Sequence, residues 1–201
     1  MLKLLLLSQY LACNESNTED TSDELKLDLP AEKEEEVVEE EEEEEFFVDA
    51  DFTIDATDST VWIYFDLASG TIVEPETPED STEWDLKFQR YDIGVNGGVS
   101  GTAGVMVAIE EGVYDSFDNI TVLPELSWNT DVEDADDDGK PEYALQNWFD
   151  YDISTHVLTP KDIVYFIKTS DQTYRFRIVD YYGPNGASGY MSFDIAQMNT
   201  E

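Results

Sequence analysis

The run Asp134-Ala135-Asp136-Asp137-Asp138-Gly139 sets carboxylates at alternate positions, Asp134, Asp136 and Asp138, ahead of a glycine that permits a sharp turn. Oxygen ligands in that pattern open a Ca²⁺ loop. An EF-hand would then need a bidentate glutamate where this chain has Leu145, and no capped helical pattern flanks the run. What remains is a simpler Ca²⁺ loop closed by Glu142, or an acidic surface loop that gathers cations diffusely. Catalytic chemistry has less to work with. His156 is the only histidine, no serine sits in a nucleophile context, and Gly97-Gly98 opens no helical pattern. Neither a Ser-His-Asp arrangement nor a phosphate-cradling loop can be drawn from these residues. With 48 Asp and Glu residues, a glycosidase-like carboxylate pair could be placed anywhere and so identifies nothing. The chain is expected to be a binding protein and not an enzyme.

The elements that position these residues are punctuated by charge. Ten basic residues against 48 acidic ones leave a net charge of −38 on 201 residues. Residues 1–50 carry 18 acidic and three basic side chains, so −23 falls on the remainder. A field of that sign repels phosphate backbones and anionic lipid surfaces, which excludes nucleic acid as a partner. No apolar run reaches the roughly 18 residues of a membrane-spanning helix. The N-terminus instead resembles a bacterial lipoprotein signal over residues 1–13, with a basic start at Lys3, Leu4 to Leu7 as a short apolar stretch, and Ala12 before Cys13. That likeness implies acylation of Cys13, a lipid anchor as the only membrane contact, and an outer-membrane lipoprotein exposed at the cell surface. Residues 14–46, with seven consecutive glutamates from Glu39 to Glu45, repel themselves and bury too little apolar surface to order. They read as a disordered acidic linker.

From residue 47 to 201 the texture becomes short strand-like runs between turn residues. Val61 to Phe65 is apolar on both faces, Trp84, Leu86 and Phe88 alternate with polar neighbours, and Gly104 to Ile109 is a further apolar run. Ile163 to Thr169 and Thr173 to Tyr182 flank Ser170-Asp171-Gln172 as a hairpin, with Tyr174, Phe176 and Ile178 on one face and Arg175 and Arg177 on the other. Gly189 to Ile195 supplies a last strand. The class is all-β, one compact antiparallel domain. About 150 residues bury about 70% of their unfolded surface, enough to fold without a disulfide, which a single cysteine could not form within the chain.

Two blocks carry a family resemblance. The first is Trp84-Asp85-Leu86-Lys87-Phe88-Gln89-Arg90-Tyr91, then Asn96-Gly97-Gly98-Val99-Ser100-Gly101. The second is Trp148-Phe149-Asp150-Tyr151, then Thr155 to Lys161, then the hairpin ending Arg177-Ile178-Val179-Asp180-Tyr181-Tyr182. Together, over roughly Phe52 to Ile195, the chain resembles the HmuY family of haem-binding lipoproteins. The resemblance implies a haemophore-like protein that holds haem or a related porphyrin through two axial side chains and assists iron acquisition with an outer-membrane receptor. It leaves the ligands open. His156 is the first candidate, with Met191 or Tyr151 as partner, since haem iron accepts His, Met and Tyr. Matching from Trp148 puts Ile153 where histidine-type members carry a ligand, and Asp115 to Tyr143 contains neither His nor Met. Arg90, Arg175 and Arg177 are the candidates to pair the propionates. The plainer readings are a turn residue for His156 and core packing for Met106 and Met191. A Ca²⁺-stabilised interaction module of the same fold, without haem, is the alternative from a different class.

Overall fold

The computed structural model describes residues 50–198. Cys13, the signal-like segment and the acidic linker therefore lie outside the described residues. In chain order the strands are β1 (Ala50–Asp55), β2 (Ile63–Asp66), β3 (Thr71–Val73), β4 (Leu86–Gln89), β5 (Asp92–Val95) and β6 (Met106–Glu111). They continue as β7 (Phe149–Asp152), β8 (Val157–Pro160), β9 (Ile163–Lys168), β10 (Thr173–Tyr182) and β11 (Ser188–Gln197). Antiparallel pairing assembles a five-stranded sheet in the order β1-β11-β10-β9-β6, a four-stranded sheet in the order β3-β2-β4-β5, and a separate β7-β8 hairpin. Helical content among the described residues is confined to short 3-10 turns, Tyr114–Asn119 and Pro184–Gly186. The all-β expectation holds.

Side-chain alternation along the strands explains the layers. Leu86 and Phe88 of β4, Ile93 and Val95 of β5, Tyr174, Phe176 and Ile178 of β10, and Met191, Phe193 and Ile195 of β11 enter one apolar cluster between the two large sheets. Phe193 sits at its centre, with ring centroids 4.9 Å from Phe176, 5.5 Å from Phe52 and Phe88, and 5.6 Å from Phe65. The far face of the five-stranded sheet is covered too. There Ala108, Val164, Phe166 and Ala196 meet Phe117, with Val113, Ile120, Leu126 and Trp128 packed against them. Strand β9 is thus buried at all five positions from Ile163 to Ile167, which is why it reads as a continuous apolar run instead of an alternating one.

Several boundaries differ from the sequence reading. Trp84 and Asp85 precede β4, and β5 pairs with it where the sequence suggested only a loop. Val61 is exposed and only Phe65 of the Val61–Phe65 run is fully buried, because the outer side of the four-stranded sheet is only partly roofed. The β7-β8 hairpin lies within a stretch read as loop; its strands are four residues long and polar at Asp150 and Asp152, too short for a periodic signal. Replacing Phe193 with alanine removes the ring shared by both large sheets and is expected to lower the unfolding free energy by about 3–5 kcal/mol. Guanidinium unfolding of the two proteins measures it, and a loss below 1 kcal/mol would mean that Phe193 is not the centre of the core.

Candidate ligand-binding site

The β7-β8 hairpin turns through Ile153-Ser154-Thr155-His156. Asp152 caps the turn by accepting hydrogen bonds from Ser154 N and Oγ, both at 2.7 Å, while His156 N donates to the Asp152 carbonyl at 2.8 Å. Those bonds, the Ser154 side chain foremost, push the Asp152 carboxyl down to about 2. His156 adopts φ +59°, a left-handed conformation that histidine enters more readily than most residues. Its ring is thereby brought to the strand before the turn, and Tyr151 Oη and His156 Nδ1 lie 2.5 Å apart. Tyr151 is 50% exposed and Ile153 80% exposed. The hairpin is tied to the sheets at its other strand, where Leu158 N donates to Tyr182 Oη at 2.9 Å.

The other sequence-predicted ligands lie elsewhere. Met191 is fully buried beside Phe193 in β11, a core residue whose sulfur is not available to a planar ligand. The three arginines are already engaged. Arg90 Nη1 donates to the Thr57 and Ser188 carbonyls, each at 3.1 Å, and Nη2 to Ser188 Oγ at 2.8 Å. Arg177 pairs with Asp194, with Nε at 2.6 Å, and Arg175 donates to the Ile120 carbonyl. The guanidiniums of Arg175 and Arg177 lie 5.0 and 4.5 Å from the centroid of Phe117, a cation–π arrangement under the covering segment. These arginines hold loops and sheet together.

Next to the hairpin a cleft of about 220 Å³ is walled by Tyr91, Trp148 and Phe149 and rimmed by Asp136, Asp138 and Glu142. Trp148 Nε1 donates to the Tyr91 carbonyl at 2.9 Å, and Lys140 Nζ reaches Asp92 at 2.6 Å. Phe149 and Tyr151 share a face of β7 by alternation, so the Tyr–His pair stands beyond the aromatic wall of the cleft. Neither Tyr91 nor Phe149 was a sequence candidate. Their apolar bodies read as strand core, and only the fold shows that they line a cleft.

The acidic rim is ordered by its own backbone. Asp134, Asp136 and Asp138 bring one carboxylate oxygen each within 4.8 Å of the others. They accept N–H bonds from Asp138 at 3.2 Å, Gly139 at 2.7 Å and Lys140 at 2.8 Å. Glu142 does not join them. Its oxygens accept from Ala135 N and Gln146 Nε2, so it closes the neck of the loop and is not brought into the carboxylate cluster.

The loops carrying this rim hang on buried polar groups. Asp131, fully buried, accepts from Val95 N at 3.0 Å and Ala144 N at 2.8 Å. Asn96, also fully buried, donates to the Ser81 and Trp84 carbonyls and accepts from Ala103 N. Gly98 has φ +61°, and a Cβ there would fall 1.8 Å from the Asp131 carbonyl oxygen. The Trp-Asp…Asn-Gly-Gly pattern of the sequence is therefore a structural knot.

The family model described as HmuY protein matches residues 58–195, the span that contains this knot and the hairpin. The chain belongs to the HmuY family. Three solved structures share its architecture, each across 76% of this chain. A Bacteroides fragilis protein described as a lipoprotein has 25% identity and TM-score 0.56 over 92% of its length. A Bacteroides vulgatus protein described as HmuY-like and haem-binding has 23% identity and TM-score 0.55 over 93% of its length. The apo HmuY analogue of Tannerella forsythia has 16% identity and TM-score 0.58 over 97% of its length. No curated protein matches the chain.

Of the donors that haem iron accepts, this HmuY-family chain presents Tyr151 and His156 together and accessible at one end of the hairpin. That donor set fits the metal of a porphyrin. A second cavity, of about 580 Å³ at the β9-β10 turn, is lined by Asp66, Asp85, Asp171 and Tyr174 with small and polar neighbours, and its one tyrosine is buried. Its Asp85 is 9% exposed. Burial, with the Asp66 carboxyl beside it, pushes Asp85 up to about 6 against hydrogen bonding from Leu67 N. An unfolded aspartate ionises near pH 4, so between about pH 4 and 6 the folded chain binds the extra proton and stability falls as pH rises. Asp85→Asn is expected to remove that contribution, on the order of 2–3 kcal/mol, raising Tm at pH 7 while leaving it near the parent value at pH 4. Thermal melts across that range report it, and parallel curves for the two proteins would count against the buried acid.

Proposed function

We propose that this HmuY-family protein binds haem or a related porphyrin at the cell envelope, with the metal at the Tyr151–His156 end of the β7-β8 hairpin. The observation that carries the reading is that hairpin: two residue types that ligate haem iron meet at 2.5 Å beside an aromatic-walled cleft. Family membership supports the ligand class. An anchor on acylated Cys13 and the acidic linker would hold the domain away from the membrane, where it would hand its cargo to an outer-membrane receptor. In this reading Arg90, Arg175 and Arg177, engaged within the fold, would not be the groups that pair the propionates. It is a binding role, with no catalytic one.

The convergence of Asp134, Asp136 and Asp138 favours a second, separable reading, Ca²⁺ bound by the rim loop. Haem and Ca²⁺ binding need not exclude one another, since the loop borders the cleft instead of supplying axial ligands.

Titration of ferric haem into the purified protein is expected to give a saturable absorbance change with a one-to-one end point. A weak, unsaturable change would remove the porphyrin reading. For the loop, millimolar Ca²⁺ is expected to raise Tm, as any ligand of the native state does, and Asp136→Ala to abolish the rise. An unchanged Tm in the parent protein rejects the Ca²⁺ reading.

A further inference from the structure

The cavity at the β9-β10 turn draws its walls from both large sheets, and each wall is held by its own hydrogen bonds. Asp66, at the end of β2, caps its turn by accepting from Ala68 N at 3.2 Å and from Ser69 N and Oγ at 3.1 and 2.6 Å. Asp85, just before β4, is tied to the same turn through Leu67 N at 2.9 Å. Asp171 stands in the turn after β9, where Thr169 Oγ1 accepts from the amides of Asp171 and Gln172 at 3.3 and 3.1 Å. Three carboxylates line one space, and among the described residues that line it there is no lysine or arginine.

The fourth group is Tyr174. It is 3% exposed and lines the cavity, and among the described residues its hydroxyl has no hydrogen-bond partner. Burial, with Asp85, Asp66 and Asp171 adding to it, pushes the phenol up to about 12, so it stays neutral and can both donate and accept. A hydroxyl this deep costs free energy unless something bonds to it. We propose that the cavity binds an aliphatic polyamine, with ammonium groups at Asp66, Asp85 and Asp171 and a hydrogen bond to Tyr174 Oη.

Three features select that class. Ammonium groups bring the positive charge that the lining lacks, together with N–H donors for the carboxylates and the phenol. The carboxylates are also spread out. Among the described residues, three come close enough to share one ion only at Asp134, Asp136 and Asp138, so charges strung along a chain suit this cavity better than a single ion. Ala68 and Ala103 give the intervening methylenes an apolar wall. Asp85 points the same way: unliganded, it costs the fold stability at neutral pH, and carboxyls displaced so far from their usual range gather at functional sites. The cavity lies at the end of β10 away from Tyr182, which holds the β7-β8 hairpin, and is separate from the proposed porphyrin site.

Calorimetric titration of spermidine into the full-length protein, at about 0.15 M salt to screen diffuse attraction, is expected to saturate at one equivalent. Tyr174→Phe removes a hydroxyl and no charge, and Asp85→Asn removes the buried carboxylate. Each is expected to weaken binding about tenfold, the loss of one hydrogen bond to a charged group. Glu133→Gln, at an exposed acid outside the cavity, is expected to leave it unchanged. Tm of each variant checks that the fold is retained. Affinity as strong in Tyr174→Phe and Asp85→Asn as in the parent would put the amine on the acidic surface at large and overturn the proposal. Titration without saturation overturns it too, as does displacement of spermidine by equimolar Mg²⁺, which would make the site one for an inorganic ion. None of these outcomes touches the porphyrin reading, which stands or falls on the haem titration.

Discussion

Burial of one carboxylate, Asp131, is the constraint on which the architecture around the cleft depends. A carboxyl with no exposed surface is tolerable only where hydrogen bonds replace water. Asp131 finds them in the amides of Val95 on a sheet edge and Ala144 at the far end of the acidic loop. The two bonds clamp the loop at both ends and so fix where Asp134 to Asp138 and Tyr143 stand. Lys87 lies nearby, its ammonium 4.8 Å from the Trp62 ring centroid and 5.7 and 5.8 Å from those of Trp84 and Tyr143. Its desolvation lowers the lysine below its usual range, while burial lifts Asp131 above that of a free carboxylate. The attraction of the pair offsets part of both penalties.

Cations are scarce in this domain and all are used internally. Beyond residue 50 the chain has seven basic side chains: Lys87, Arg90, Lys140, Lys161, Lys168, Arg175 and Arg177. Lys87 is enclosed by rings, Lys140 and Lys161 face Asp92 and Asp150, and Lys168 lies over Trp128. The arginines bind carbonyls, a hydroxyl and Asp194. Such a molecule holds its own anions apart by placing each cation at a seam between elements. Arg175, read from the sequence as facing outward, is buried beneath the segment that covers that side of the sheet.

The pattern of legibility follows from this. Alternation in β10 and the continuous apolar run of β9 were readable because they encode burial directly. The Trp84–Gly101 signature identified the family because its residues make a knot that tolerates little change: a Cβ at Gly98 or Gly101 would collide with the Asp131 carbonyl or the Asn96 side chain. That same knot says nothing about ligand chemistry, since it lies in the scaffold. Met191 looked available in sequence because a methionine in a strand has no mark of which face it takes, and register alone sends it to the core. The meeting of Tyr151 and His156 depends on a positive φ in a four-residue connection, a feature no residue pattern in that stretch announces. The closure of the rim loop by Glu142 was legible as proximity, but its direction toward Ala135 and Gln146 was not.

The hairpin also differs in kind from the sheets that bear it. It is two strands of four residues joined to the rest by few bonds, and an isolated two-stranded ribbon is marginal in water. Segments of this sort open with far smaller free energies than the global unfolding of a packed core. A ligand held at its tip, as proposed above, would leave by a local motion of the ribbon with the sandwich intact. Speed of exchange and robustness of the body would then be tuned by different residues.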